Sequence, residues 1–246
     1  MKPVKQYYRK IEGRVVTFIR QLIGREPRNR VEVQCRKELI GNWVVYPDGL
    51  SAQSLIISLG IGGDIRFDEE IISRYSCAVH AFDPTPRWVE WIREQNLPPE
   101  FHFHPFAVSG KDSVMKLYPR LSKGKRSETM MTLFDESNAC EAGVEVGVKR
   151  LSTILNELGY NRIDILKMDI EGAEYDVIQD VLVSDVAINQ IIVEFHHRFR
   201  TFSVDMTIMA LKKLHDAGYR IFHISDKCKE YSLIHETAIY HPSDNA

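Results

Sequence analysis

Asp169, Glu171, Glu194 and His196 are the side chains of this 246-residue sequence best placed for proton chemistry. Asp169 and Glu171 follow the apolar run IDILKM (163–168), and Glu194 and His196 lie at the end of the run QIIVEF (190–195). If both runs are strands of one open sheet, their carboxyl ends are where such sheets bind ligands. Residues two apart on a strand share a face, so Glu194 and His196 point together, beside Asp169. An imidazole titrates near neutrality and a neighbouring carboxylate can hold its ring. Such a group suits removal of a proton from a poor nucleophile such as a hydroxyl, a contribution of about 10²–10⁴-fold in rate. On this reading His196 is the base, Glu194 its orienter or a substrate ligand, and Asp169 shapes the place of reaction. Plainer uses stay open. Asp169 can cap a helix, Glu171 and Glu174 suit the positive end of the following helix, and His196 and His197 can be surface histidines. Asp169, Glu194 and His196 also form an O/N set that Mg²⁺ or Mn²⁺ accepts, but the expectation is a site without metal.

A second constellation is Gly60-Ile61-Gly62-Gly63-Asp64, directly after the apolar run LIISL (55–59). Glycines let the backbone turn tightly and approach a ligand with no Cβ in the way. Asp83 lies 23 residues beyond Gly60, at the end of the next apolar run. That is the spacing at which a carboxylate accepts hydrogen bonds from ribose hydroxyls. The pair indicates a nucleoside-containing cofactor. A dinucleotide fingerprint, G-x-G-x-x-G/A, fails because its sixth position is Ile65. The acids Asp64, Asp68, Glu69 and Glu70 that open the next helix would repel a pyrophosphate, whereas a cationic sulfonium tolerates them. A nicotinamide-dependent oxidoreductase and a non-catalytic cofactor-binding scaffold are the competing readings.

Asp169-Ile170-Glu171-Gly172-Ala173-Glu174 resembles the D-x-E-G-A-E signature of the FkbM-type methyltransferases. Residues 58–83 are similar to that family's first cofactor motif, second strand and ribose-binding aspartate. Phe106-Ala107-Val108 resembles its third motif, Ile192–His196 a later strand, and Gly41-Asn42-Trp43 a segment that precedes the core in some members. The resemblance covers about residues 40–196. It implies a Rossmann-like class I fold and transfer of a methyl group from S-adenosylmethionine to a hydroxyl of a sugar, glycan or small polar natural product. It also implies a cofactor set of Gly60, Gly62, Gly63, Asp64, Asp83, Ala107, Val108, Asp169 and Glu171. One position departs from the class: Ser58 stands two residues before the first glycine, where an acid is common. Asp64 is expected to take over contact with the cofactor's amino group.

These residues need an α/β frame to bring them together. Apolar runs at 55–59, 77–82, 101–108, 163–168, 190–195, 219–225 and 231–240 read as strands, with a short one within 41–49. Helical patterns fill 68–75, 85–95, 151–158, 173–182 and 204–216. The alternation predicts a mainly parallel seven-stranded sheet with helices on both faces, closed by an antiparallel strand pair. Trp88 and Trp91 read as core, and His102 and His104 as ordinary sheet residues. The polar stretch 109–149, with Tyr118, Arg120, Lys123, Lys125 and Arg126, reads as a long loop: a lid for an acidic or phosphorylated acceptor, or a solvated connection.

Charge is unevenly spread. Residues 1–40 carry 11 Lys/Arg and 4 Asp/Glu, a balance of +7, and the remainder carries 21 and 30, a balance of -9. The expected division is a basic helical extension over 1–40 and a methyltransferase domain over 41–246. Residues 7–23 predict an amphipathic helix suited to peripheral contact with anionic membrane. The overall net charge of -2 argues against a nucleic-acid binder. Four scattered cysteines, no apparent signal peptide and no apolar run long enough to span a bilayer point to a cytoplasmic protein.

Overall fold

The computed structural model describes residues 15–122, 125–135, 143–184 and 186–239. The chain opens with helix α1 (residues 15–22) and a hairpin of β1 (Glu38–Ile40) and β2 (Trp43–Val45). That hairpin crosses the division expected at residue 40. Residues 7–14 of the predicted N-terminal helix lie outside the described residues. Among the described residues, no helix is long and apolar enough to cross a membrane.

The alternating core follows in the predicted order: β3 (Leu55–Leu59), α2 (Arg66–Tyr75), β4 (Ala78–Phe82), α3 (Pro86–Ile92) and β5 (Phe101–His104). After an inserted sheet come α4 (Leu151–Leu158), β10 (Arg162–Met168), α5 (Glu174–Val183), β11 (Ala187–Glu194), α6 (Val204–Asp216), β12 (Tyr219–Ile224) and β13 (Glu230–His235). The main sheet has seven strands in the order β12-β13-β11-β10-β3-β4-β5. β11, β10, β3, β4 and β5 run parallel, and β13 is antiparallel to both β11 and β12. The sheet is therefore mixed, with the antiparallel pair at one end as the sequence predicts.

Side chains alternate between two cores. Leu55, Ile57, Leu59, Leu166, Met168, Ile191 and Val193 face α4, α5 and α6, which contribute Leu151, Leu155, Val177, Ile178, Leu211 and Leu214. Ile56, Val79, Ala81, Ile165 and Ile192 face α2 and the β1–β2 hairpin through Ile71, Ile72, Ile40 and Trp43. Burial on both sheet faces explains why these strands read as continuous apolar runs rather than alternating ones.

Two expectations are corrected. The run 101–108 is not one strand. It breaks after His104 at Pro105, whose ring has no amide hydrogen to give a ladder, and Ala107–Val108 (β6) joins a second sheet. The stretch 109–149 is not a loop. It supplies β7 (Ser113–Ser122), β8 (Lys125–Thr132) and β9 (Val144–Lys149), which with β6 form a four-stranded sheet in the order β6-β9-β7-β8. Ala107, Leu117, Leu133, Val146 and Val148 give this sheet a small core of its own, closed by Ala173.

Candidate active site

The glycine turn is fastened by the carboxylate that the sequence pairs with it. Gly60 continues β3 with φ +79°, and a Cβ there would lie 1.9 Å from the Asp169 carbonyl oxygen. Only glycine lets the turn and the Asp169 loop meet so closely. The backbone amides of Ile61 and Gly62 donate to Asp83 Oδ2 at 3.2 and 3.1 Å, and the Thr85 amide donates to Oδ1 at 2.9 Å. Asp83 thus shapes the turn while remaining at the edge of a cavity of about 240 Å³.

Gly60, Gly62 and Asp83 line that cavity together with Ala107, Val108, Asp169 and Glu171, and the Gly60 and Asp169 backbones abut within it. The position of a Cβ on Gly62 is open space, at φ +54°, so a ligand can approach the backbone there. These features fit a nucleoside cofactor: an unobstructed glycine turn, a carboxylate beside it and an apolar wall. Gly63 and Asp64 do not line the cavity. The Gly63 Cβ position is filled by the Trp88 ring at 2.5 Å. Asp64 instead forks onto its neighbour Arg66 at 2.8 and 2.6 Å, facing solvent. The expected contact of Asp64 with the cofactor is therefore corrected: its carboxylate is already committed to a guanidinium two residues away.

Behind the turn, Ser58 is fully buried and pairs in register with Lys167 of β10. Lys167 Nζ donates to the Gly60 carbonyl at 2.7 Å. Asp68 of α2 is also buried. Burial raises its carboxyl above the usual range, and the charge of Lys167 opposes that rise. A lysine thus braces the turn from the strand beside Ser58.

Beside Asp169 and Glu171 the predicted proton-handling residues converge. His196 is 3% exposed. Its Nε2 stands 3.5 Å from Asp169, 3.6 Å from Glu171 and 3.9 Å from Glu194. The orienting carboxylate, however, is Glu174 rather than Glu194. Glu174 Oε1 accepts from the His196 backbone amide at 2.8 Å and meets Nδ1 at 3.2 Å, while Oε2 accepts from the Gly172 amide at 2.9 Å. Glu174 opens α5, as expected, but is fully buried against the end of β11. Glu194 is paired with Lys229. Burial opposes a charge on His196, but Glu174, Glu171 and Asp169 outweigh it and hold its pKa above the ordinary value. Burial also pushes the Glu171 carboxyl upward, against the pull of His196 and Arg120. His197 is buried too, contrary to a surface role, with Nε2 2.8 Å from Glu26.

The second sheet supplies contacts that the sequence analysis did not anticipate. Arg120 of β7 donates to Glu171 at 3.0 Å and lies over the Phe199 ring. Thr132 Oγ1 of β8 donates to the Glu171 carbonyl at 2.8 Å, and residues 129–133 roof the cavity. Trp88 also lines the cavity and donates to the Thr129 carbonyl at 3.1 Å, whereas Trp91 packs against the core as predicted. The only sequence trace of this arm is the spacing of Met115 and Leu117, and of Val144, Val146 and Val148, at intervals of two. Lys123 lies outside the described residues.

The sequence profile described as "Methyltransferase FkbM domain" matches residues 52–221. The chain belongs to the FkbM methyltransferase family. S-adenosylmethionine is the cofactor of this FkbM domain, and the nicotinamide reading is set aside. Relatives are the probable methyltransferase-like protein 24 of Homo sapiens, 29% identical over 181 residues, and that of Rattus norvegicus, 28% identical over 201 residues. These alignments take in 70% and 78% of this chain but 42% and 48% of the relatives, so the chain spans less than half their length. Among solved structures, the fibrillarin pre-rRNA processing protein of Methanococcus jannaschii superposes at TM-score 0.43 and 11% identity, over 85% of each chain. Human N-acetylserotonin methyltransferase in complex with SAM superposes at TM-score 0.36 and 13% identity, over 75% of this chain and 48% of that one.

Proposed function

We propose that this FkbM domain transfers a methyl group from S-adenosylmethionine to a hydroxyl oxygen of a sugar, glycan or other small polar acceptor. The observation that carries the reading is the lining of one cavity: Gly60, Gly62 and Asp83 beside Asp169 and Glu171, which are backed by His196. The cofactor supplies a methyl group on a sulfonium; its C–S bond breaks as the new O–C bond forms, and the hydroxyl proton must leave.

Asp83 and the open backbone at Gly62 hold the nucleoside. Asp169, the more exposed carboxylate at 39% against 17% for Glu171, meets the acceptor and takes its proton or its hydrogen bond. His196 lies behind these carboxylates and does not line the cavity. Its role is to set their charge and position and to pass the proton on. His196→Ala should lower turnover by at least about 10²-fold with little change in S-adenosylmethionine affinity.

The test is transfer of a labelled methyl group from S-adenosylmethionine to a fractionated cell extract and to a panel of free sugars and glycosides. The expected product is an alkali-stable methyl ether. Label found only in alkali-labile esters or on nitrogen would overturn the O-methylation reading.

A further inference from the structure

The carboxylate–imidazole cluster has a geometry that hydrogen bonding does not account for. Asp169, Glu171 and His196 each bring one ligand atom to within 4.8 Å of the others. His196 is 3% exposed, and its Nδ1 sits against Glu174, a buried carboxylate. With a carboxylate holding the proton at Nδ1, Nε2 is the nitrogen left to take a ligand. That nitrogen faces Asp169 at 3.5 Å, Glu171 at 3.6 Å and Glu194 at 3.9 Å. These separations exceed ordinary hydrogen-bond lengths. A hard divalent ion holds its ligands at about 2.0–2.2 Å, which spaces neighbouring ligand atoms roughly 3.0–3.6 Å apart. The distances from His196 to Asp169 and Glu171 fall in that range.

Charge points the same way. Glu174, Asp169, Glu171 and Glu194 surround His196, four carboxylates in all. Arg120 answers Glu171 and Lys229 answers Glu194. Carboxylates thus outnumber cations beside an imidazole that is 3% exposed, where uncompensated charge is costly. One divalent cation neutralises it.

We propose that Asp169, Glu171 and His196 bind a single divalent metal ion, with Glu194 within reach and Glu174 as the positioning residue for the imidazole. Carboxylate oxygen donors suit Mn²⁺, which also accepts a single imidazole nitrogen. The sequence expectation of a metal-free site is thereby reversed, and Glu171 takes the ligand place first considered for Glu194. Because Asp169 and Glu171 also line the cavity, the ion would bind the acceptor oxygen and make its hydroxyl more acidic. That role, though not the binding itself, rests on the methyl-transfer reading.

The experiment is Mn²⁺ titration of EDTA-stripped, desalted protein, followed by electron paramagnetic resonance and by thermal melting. Saturable uptake of one Mn²⁺ per chain is expected, with a raised melting temperature and nitrogen modulation from one directly bound imidazole. Asp169→Asn and Glu171→Gln should each weaken uptake at least about tenfold, and Glu174→Gln by about 10–100-fold, with metal-free circular dichroism unchanged. No saturable uptake by the parent overturns the proposal. So does uptake without imidazole nitrogen, a readout that needs no variant to fold, or uptake unaltered in both ligand variants. S-adenosylmethionine calorimetry on the same preparations separates the two readings. Cofactor binding without Mn²⁺ uptake defeats the metal site alone, and Mn²⁺ uptake without cofactor binding defeats the methyl-transfer reading alone.

Discussion

Asp83 is tied to its surroundings by three backbone amides, those of Ile61, Gly62 and Thr85. It is therefore both a wall of the cavity and the clamp that gives the glycine turn its form. Asp83→Ala removes the clamp and an acceptor for a ribose hydroxyl together, and should weaken S-adenosylmethionine binding by about 1–3 kcal/mol. Gly62→Val forces a β-branched residue to φ +54° and projects it into the open space beside the turn. It should abolish calorimetrically detectable binding, and parental affinity in both variants would misplace the cofactor site. That Gly60, Gly62 and Asp83 come together was legible from their spacing. Asp169 and Glu171 were legible from the signature that holds them. Glu174 was not read as the partner of His196, because they lie 22 residues apart on different elements and meet only when α5 docks against the end of β11. A carboxylate in the first turn of a helix has an ordinary explanation in the helix dipole, and nothing in the sequence distinguishes a buried one.

At the scale of elements, the βα alternation was readable because each parallel strand is buried on both faces and appears as an unbroken apolar run. The β7–β9 arm was missed for the opposite reason. Val114 is 70% exposed, while Leu117 and Val146 on the other face are buried. Strands half in solvent and rich in Lys, Arg, Ser and Gly resemble a polar loop by composition. α1 presents a different problem. Phe18, Ile19, Leu22 and Ile23 are each 50–60% exposed, so its apolar side is not consumed by the domain. With the +7 balance of residues 1–40, that face suits an anionic bilayer surface, as apolar insertion and attraction to acidic headgroups act together. The chain should co-sediment with phosphatidylserine vesicles at low salt and dissociate as salt screens the charges; no binding at low salt excludes this use of the helix. The connection from α1 into the domain is fixed by Glu26, 2% exposed, which contacts Arg20, His197 and Arg198 at 2.6–2.8 Å. Glu26→Gln breaks a buried charged network, with a cost of about 3 kcal/mol. Its melting temperature should fall by roughly 6–12 °C, and a fall of less than about 2 °C would show the network to be dispensable.

For the whole molecule, two buried groups set how the fold responds to acid. Burial would raise the Glu26 carboxyl, but hydrogen bonds from His197, Arg198 and Arg20 outweigh it and bring its pKa to about 2, against 4.5 for the free group. A depressed carboxyl contributes stability above its unfolded pKa, and that contribution fades as pH falls from about 4.5 toward 2. At the opposite edge of the sheet, His80, His102 and His104 share one face of β4 and β5, with His80 Nδ1 3.0 Å from His104 Nε2. Sequence analysis took His102 and His104 as ordinary sheet residues, and among the described residues they take no part in the grouping of metal-ligand atoms. Burial, then the neighbouring His104 and His102, lowers the His80 pKa from 6.5 to about 4. Above pH 6.5 His80 is neutral whether folded or unfolded, and costs nothing. As pH falls toward 4 the unfolded chain binds a proton that the folded chain refuses, so stability drops. Below about 4 both forms are protonated and the loss levels off. Melting temperature should therefore fall between pH 6.5 and 4, before the Glu26 contribution has been lost. His80→Phe keeps a ring of similar size in the stack and removes the titration, so its profile should be flatter across that window. Parallel decline of parent and variant would assign the acid sensitivity elsewhere.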